Sequence, residues 1–523
     1  LFLQGPGEVL VDNLVFQNNG GPNLVANGSF ESGSSGWTFQ GVCRSSFVQN
    51  GVGPDGSRAL RLVATGRGDT GPNKVWTTLS SPVVTNPPNT GTLRAAVRWL
   101  KGSPYIVFRL SGQWMEVSQR LEVPIRCGTP ALPNSRQVNN AGPSISEVQH
   151  DPILPAAGQP VRVTARVADP DGVAQVYLRF RLDPDPNFTL VPMRDDGTGE
   201  DAFAGDQIYT ATIPGRPANT LIAFHLQATD GRGALSQFPS EAPARECLVR
   251  WGESVLAGSL GTYRLWLTAS NVNFWTTRER NANDPVDATF VYGNYRVIYN
   301  VDTLYSGSPF HTPSYNGPVG SFACDYEVNF PPENKLLGSE PFVLAAFDVT
   351  SGSFFHNDPT AQVDLTGNWI ARKLGQQYNH QRHVHVVVNG MRRGTIYADV
   401  QQPNSEMLDQ YFPNDQQRQF RKIEDWFEFA DDGQSLGITT ATLTRYNQAD
   451  GTIDTKRYRW NWRPRVTRNP DDWAPFTNLV SVVNDTGAPD FADRVRTWMD
   501  IRRCLRVIAV HHIVGNWDSY GYE

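Results

Sequence analysis

The chain has 523 residues, with 46 Lys+Arg against 52 Asp+Glu and a net charge of −6, so no global basic field draws it to nucleic acid or an anionic membrane. One hydrophobic core does not serve such a length, and several domains are expected. Glycine (46) and proline (37) are plentiful and charged residues make up only 19%, which suits β-sandwich modules better than helical bundles.

In chain order, residues 1–16 alternate like two strands around a Gly-Pro-Gly turn. They read, with the rest of 1–22, as the last hairpin of a preceding module. Residues 23–127 carry period-2 runs (Leu60–Val63, Leu93–Trp99, Tyr105–Leu110) separated by turn signals such as Pro54-Asp55-Gly56, the pattern of a jelly-roll sandwich. The stretch 128–144, rich in Pro, Asn and Gly, reads as a linker. A second sandwich, immunoglobulin-like or fibronectin-like, is expected over 145–249. In it Val161–Val167 ends at the turn Asp169-Pro170-Asp171-Gly172 and Val176–Leu182 returns as its partner strand. Its acidic loop, with Asp195, Asp196, Asp201 and Asp206, is a candidate Ca²⁺ site, although the spacing is not that of an EF-hand.

From residue 250 strands alternate with helices, which signals an α+β domain of catalytic size. Helices are expected at Ala269–Arg278, near Val363–Leu374 and over Asp490–His512, and a strong strand at His383–Val388. The apolar runs, such as Phe342–Phe347 and Val507–Val510, are too short to span a bilayer. Leu1 reads as a mid-strand residue, so the missing leader pattern carries no information.

Several chemistries are excluded. No lysine precedes Ser or Thr, so there is no Walker A loop, and no histidine opens H-E-x-x-H. Gly433-Gln434-Ser435-Leu436-Gly437 matches G-x-S-x-G, but it follows Asp431-Asp432 rather than a strand and reads as a hairpin turn. His383 and His385 share one face of a strand, yet no third ligand has convincing spacing, which favours a structural role. The five cysteines contain no C-x-x-C pair; Cys43 and Cys127 either bridge or stay buried thiols, and the odd number leaves at least one unpaired within the chain. Only six of the 46 basic residues are lysines (74, 101, 335, 373, 422 and 456), which narrows the search for a phosphate-binding ammonium.

Five segments carry the strongest signal. These are Tyr305-Ser306-Gly307-Ser308-Pro309-Phe310, Lys335-Leu336-Leu337-Gly338, Val386–Tyr397 around Asn389-Gly390, Phe420-Arg421-Lys422-Ile423, and Val514-Gly515-Asn516-Trp517-Asp518. In this order they resemble the CotH spore-coat kinase family, an atypical secreted branch with a protein-kinase-like fold, over roughly residues 255–523. The resemblance implies an extracellular, secreted or cell-surface kinase that transfers phosphate from ATP to protein hydroxyls with Mg²⁺ or Mn²⁺. Lys422 would contact phosphate, and Asp518 would be the catalytic or metal-binding acid. Asp399 would substitute for the family's lysine-holding acid, whose place Gln401 takes. The basic residues the family carries near its first glycine turn have no counterpart at 323–328. The chain ends at Glu523, before the family's downstream Asn and Asp positions, so this kinase-like domain is expected to be incomplete.

Asn23–Phe30 and Gly36-Trp37 resemble the start of carbohydrate-binding jelly-roll modules, which often bind glycans through aromatic side chains. Trp37, Trp76, Trp99 and Trp114 are the aromatics at hand, with core packing the plainer role for most. The alternative reading is a non-catalytic extracellular structural or adhesion protein. In it the kinase-like domain is a scaffold, and the partners are extracellular assembly proteins or glycans rather than a protein substrate.

Overall fold

The computed structural model describes residues 1–69, 71–83, 89–112, 115–124, 138–279, 282–306, 317–320, 323–347, 361–415, 419–423, 428–429, 436–437, 441–448, 450–459 and 462–515. It is β-rich, with several separate sheets and helices concentrated towards the C-terminus.

The first β unit pairs a four-stranded sheet with a three-stranded one. The four-stranded sheet runs Phe47–Gln49, Ala59–Ala64, Gly7–Asn18, Gly91–Gly102; the other is Phe2–Leu3, Tyr105–Leu110, Met115–Arg120. The opening residues are therefore not a hairpin left over from another module. Gly7–Asn18 is an inner strand, flanked by Ala59–Ala64 and Gly91–Gly102. The physical reason is its apolar content: Val9, Val11, Leu14 and Phe16 enter the same core as Leu60, Leu62 and Ile106.

The second β unit has a three-stranded sheet (Ser144–Asp151, Val161–Ala168, Ile208–Ile213). Facing it are Thr189–Pro192, Val173–Leu182, Leu221–Asp230 and Leu235–Phe238, with Cys247–Arg250 also paired to Leu221–Asp230. Here the expected hairpin is corrected. Val161–Ala168 and Val173–Leu182 lie in different sheets, so Asp169–Gly172 is an arch between sheets. Each strand buries one alternate row (Val161, Val163, Ala165, Val167; Val176, Leu178, Phe180), and facing rows close a core that neighbouring strands of one sheet would not.

Residues 261–401 form a closed barrel in the order Gly261–Trp266, Val286–Tyr292, Arg296–Tyr305, Tyr326–Asn329, Pro341–Ala346, Met391–Gln401, Gln381–Val388. Closure is a parallel pairing in which Gly261 meets Val384 and Leu265 meets Val388. Asn389-Gly390 makes the expected type I′ turn, with φ of 46° and 80°. The Asn389 side chain fastens this turn to the first barrel strand, accepting from Leu267 N (2.9 Å) and donating to Leu267 O (2.9 Å). Adjacent barrel residues serve two cores. Leu265, Phe290 and Ile298 point into the barrel, while Trp266, Val291 and Tyr299 enter the core of the second sandwich.

The helices are Ala269–Thr277, Val363–Lys373, Ser405–Tyr411, Ala474–Asn484, Phe491–Trp498 and Ile501–Val514. The single helix expected over 490–512 is broken. Met499 is extended, and Asp500 caps a new helix by accepting from Arg503 N (3.0 Å). A two-stranded ribbon, Phe420–Ile423 with Trp462–Val466, lies next to a small core of Tyr458, Trp473, Phe476 and Val480.

Candidate functional site

Asp399 lies on barrel strand Met391–Gln401, on the same face as Tyr397, whose ring is in the barrel core. Directly across from it on Gln381–Val388 is Arg382. Arg382 Nε donates to Asp399 Oδ2 at 2.8 Å, and the Tyr263 hydroxyl donates to the same oxygen at 2.6 Å. Arg382 also bonds the Tyr263 hydroxyl and lies over the rings of Tyr263 and Tyr292. Burial and the Asp399 carboxylate push the Tyr263 hydroxyl well above the usual phenol range, so it stays a donor. The cation that holds Asp399 is thus an arginine across the strand. Gln401, in the place of the family's acid, accepts from the backbone amide of His380 through Oε1 (3.2 Å) and supports the barrel edge.

Lys422 is exposed on the ribbon strand Phe420–Ile423, opposite Arg463. Its neighbour Arg421 stacks on Trp473 at 4.0 Å and donates to Asp472 O, which fixes the ribbon against the helical region. Burial lowers the Arg421 guanidinium to about 10. Asp518 lies outside the described residues, as do Cys127, Trp114 and Gly433–Ser435. Cys43 is a buried free thiol.

A cluster that spacing did not reveal joins Lys335 to two acids. Its Nζ lies 2.6 Å from Glu340 and 3.0 Å from Glu406, which stands in the first turn of helix Ser405–Tyr411. Glu406 also accepts from Glu340 N (3.1 Å), so the lysine ties this helix to the loop before strand Pro341–Ala346. Bonds to Glu340 and then Glu406 raise its pKa. Lys335 was legible only as part of Lys335-Leu336-Leu337-Gly338; its acids were not.

His383 packs edge-on against Phe347, and His385 lies 3.1 Å from Arg392. Among the described residues, groups able to hold a metal comprise only aspartates of the second sandwich, Asp169/Asp171/Asp230 and Asp195/Asp201/Asp206. The four aspartates expected to gather around Ca²⁺ are therefore divided, and Asp196 stands apart from the cluster. Asp196 accepts from Thr198 through its amide (3.0 Å) and hydroxyl (2.6 Å), which lowers its pKa. In the remaining three, Asp195 accepts from the amides of Gly205 (2.8 Å), Asp206 (3.1 Å) and Gln207 (3.1 Å), and Asp201 from Gly197 (2.6 Å). Of the tryptophans named above, Trp37 is a core residue. Trp76 and Trp99 are half-buried, their indole N–H groups bonded to Gln40 and to Gly102 O.

Residues 363–523 match the family model described as CotH kinase protein. The match begins at helix Val363–Lys373 and covers the last two barrel strands, the ribbon and the C-terminal helices. No curated protein matches the chain. Among solved structures the chain is similar to the cycloalternan-forming enzyme of Listeria monocytogenes in complex with a pentasaccharide. That match has 10% identity and a TM-score of 0.15, and covers 39% of this chain and 15% of that one. A DUF4785 family protein from Legionella pneumophila matches at 10% identity with a TM-score of 0.16, covering 66% of this chain and 78% of its own.

Proposed function

From the CotH kinase family match over residues 363–523, we propose that this chain is part of an extracellular CotH-like kinase that transfers phosphate from ATP to protein hydroxyls. The observation that carries the reading is that Lys422 and Asp518, the phosphate-contact and acid positions, both fall inside the matched segment. Lys422 supplies an exposed ammonium on a ribbon anchored by the Arg421–Trp473 stack, the requirement for a phosphate contact. Asp518 supplies the acid. Asp399 is reassigned: held by Arg382 and Tyr263, it positions the barrel edge and leaves the phosphate to Lys422.

The family implies ATP with Mg²⁺ or Mn²⁺. No three ligand groups converge in the barrel or beyond it among the described residues, so these residues alone do not fit a metal–nucleotide centre and no step is routed through one. The test is binding of a fluorescent ATP analogue to the full chain with Mn²⁺. Binding is expected to weaken at least about tenfold in Lys422→Ala, while Asp399→Asn lowers thermal stability and leaves affinity unchanged. No binding by the unaltered chain would favour the non-catalytic reading, a scaffold with structural or glycan-binding partners. The structural use of Gln401 and Asp399 supports that second reading.

A further inference from the structure

The arch Asp169–Gly172 passes over one end of the second sandwich, and strand Leu221–Asp230 finishes there, because Asp230 pairs with Val173. Sheet crossing thus brings one acid of the 221–230 strand to two acids of the arch. Ligand oxygens of Asp169, Asp171 and Asp230 lie within 4.8 Å of one another.

The informative atom is in Asp230, which is only 1% exposed. Its Oδ1 accepts from the amides of Arg232 (2.9 Å) and Ala234 (2.8 Å). Its Oδ2 is buried with no hydrogen-bond partner. Beside it stands Asn140, on the segment leading into strand Ser144–Asp151, and Asn140 Oδ1 is a second buried oxygen without a partner. Burial alone would raise the Asp230 carboxyl, but the amide of Ala234, the Asn140 side chain and the amides of Arg232 and Gly233 lower it. Buried acceptors without a protein donor are expensive. A neighbouring acid ordinarily makes matters worse, and here there are two.

We propose that Asp169, Asp171 and Asp230, with Asn140, form a Ca²⁺ site that fastens the segment leading into the second sandwich to its arch. Three carboxylates and an amide oxygen make a hard, all-oxygen ligand set, which Ca²⁺ accepts with flexible geometry. A cavity of about 240 Å³ adjoins the cluster, lined by Asn139, Asn140, Gly142, Asp169 and Asp171. Asp171 has one cationic partner, Arg232 at 3.1 Å, whose side chain is 62% exposed. A pair so exposed holds weakly and yields to a divalent ion. The Asp169 carboxylate also accepts from Asp171 N (2.7 Å), which holds the arch in shape. Gly142 packs so tightly on the next hairpin that a Cβ would meet Leu235 O at 2.8 Å, so a cation near Asn140 grips backbone already close to the sheet. The Asp195/Asp201/Asp206 cluster has no buried side-chain oxygen without a partner and serves as the internal control.

The test is calorimetric titration of the full chain with CaCl₂ after chelator treatment, with hydrogen exchange read over residues 138–144. Asp171→Asn, at an exposed position, is expected to weaken Ca²⁺ binding at least about tenfold and to abolish Ca²⁺-dependent protection of 138–144. Asp230→Asn should do the same, and Asp195→Asn should leave both unchanged. Asp171→Asn keeps the test decisive if Asp230→Asn fails to fold. The proposal is overturned by absence of Ca²⁺ binding, by binding that survives Asp171→Asn, by loss with Asp195→Asn, or by a preference for Mg²⁺. None of these readouts depends on the kinase assignment.

Discussion

The barrel meets the second sandwich through Trp266, Val291 and Tyr299, all buried in a core that also holds Phe224, Leu248 and Trp251. It meets the first sandwich through polar contacts instead. Arg44 and Thr65 bond Asp284, and Gln40 donates to Glu279 at 2.9 Å. The region beyond the barrel contacts the first sandwich in the same manner. Arg459 lies 2.5 Å from Glu116 and 3.0 Å from Asp471, with Gln4 accepting from it at 3.1 Å. The apolar junction is a shared core and draws its energy from area removed from water. The ionic junctions gain little net stability, because charges leave water to make them, but each is costly when one partner is lost. One contact surface makes a single body of barrel and sandwich; the other sets an orientation through charge.

The largest expected effect tests the shared core. Trp266→Ala should cost about 4 kcal/mol, measured as one cooperative loss of stability in barrel and sandwich together. Separate transitions would show that the two do not share a core. Next is Glu116, which faces Arg109 (3.4 Å) as well as Arg459, all three side chains nearly unexposed. Glu116→Gln should cost roughly 3 kcal/mol by stranding buried guanidinium charge. The triple change Glu116→Leu, Arg109→Met and Arg459→Met, which removes all three buried charges, should recover most of that, and a sum of three losses would contradict it.

Acid separates the junctions again. His150 is buried between Tyr299 and the carbonyl of Ile153, near Trp266, and burial lowers its pKa to about 4. The unfolded chain takes up that proton near pH 6.5, so the unfolded state binds more protons between pH 6.5 and 4 and stability falls as pH falls through that window. Roughly 3 kcal/mol is at stake, and His150→Gln should flatten this part of the stability–pH profile. The smallest effect belongs to Arg44, whose side chain is 42% exposed. Arg44→Ala leaves the buried Asp284 carboxylate with Thr65 as a donor and should cost about 1–2 kcal/mol, less than Glu116→Gln, a difference that shrinks in high salt.

Strands were the most legible part of the chain, because alternation such as Val161-Arg162-Val163-Thr164-Ala165 reports a half-buried strand wherever it pairs. Pairing was less legible. The same alternation fits a hairpin and an arch, and the choice depends on what the far face meets, which no local pattern records. Asp169-Pro170-Asp171-Gly172 therefore read as a turn only, and its proximity to Asp230 stayed hidden. Val9 to Phe16 looked orphaned because their partners lie at 59–64 and 91–102. The break at Met499 had a visible signal in Asp500, a capping residue three positions before Arg503, but the apolar spacing ran through it. Of the kinase-like residues, Lys422 was found through its short motif. Arg382 and Tyr263, which decide what Asp399 does, carry no motif because a cross-strand pair and a barrel contact are set by register.

The parallel seam between Gly261–Trp266 and Gln381–Val388 also bears on how the protein is made. The first barrel strand must wait for its closing partner, Gln381–Val388, until more than a hundred residues have left the ribosome. Loop closure over that span is slow, and the exposed edges invite mispairing meanwhile. The segment that matches the CotH model starts at residue 363, after five of the seven staves. Cut out at that boundary, it would carry Gln381–Val388 and Met391–Gln401 as a bare hairpin with both flanks open.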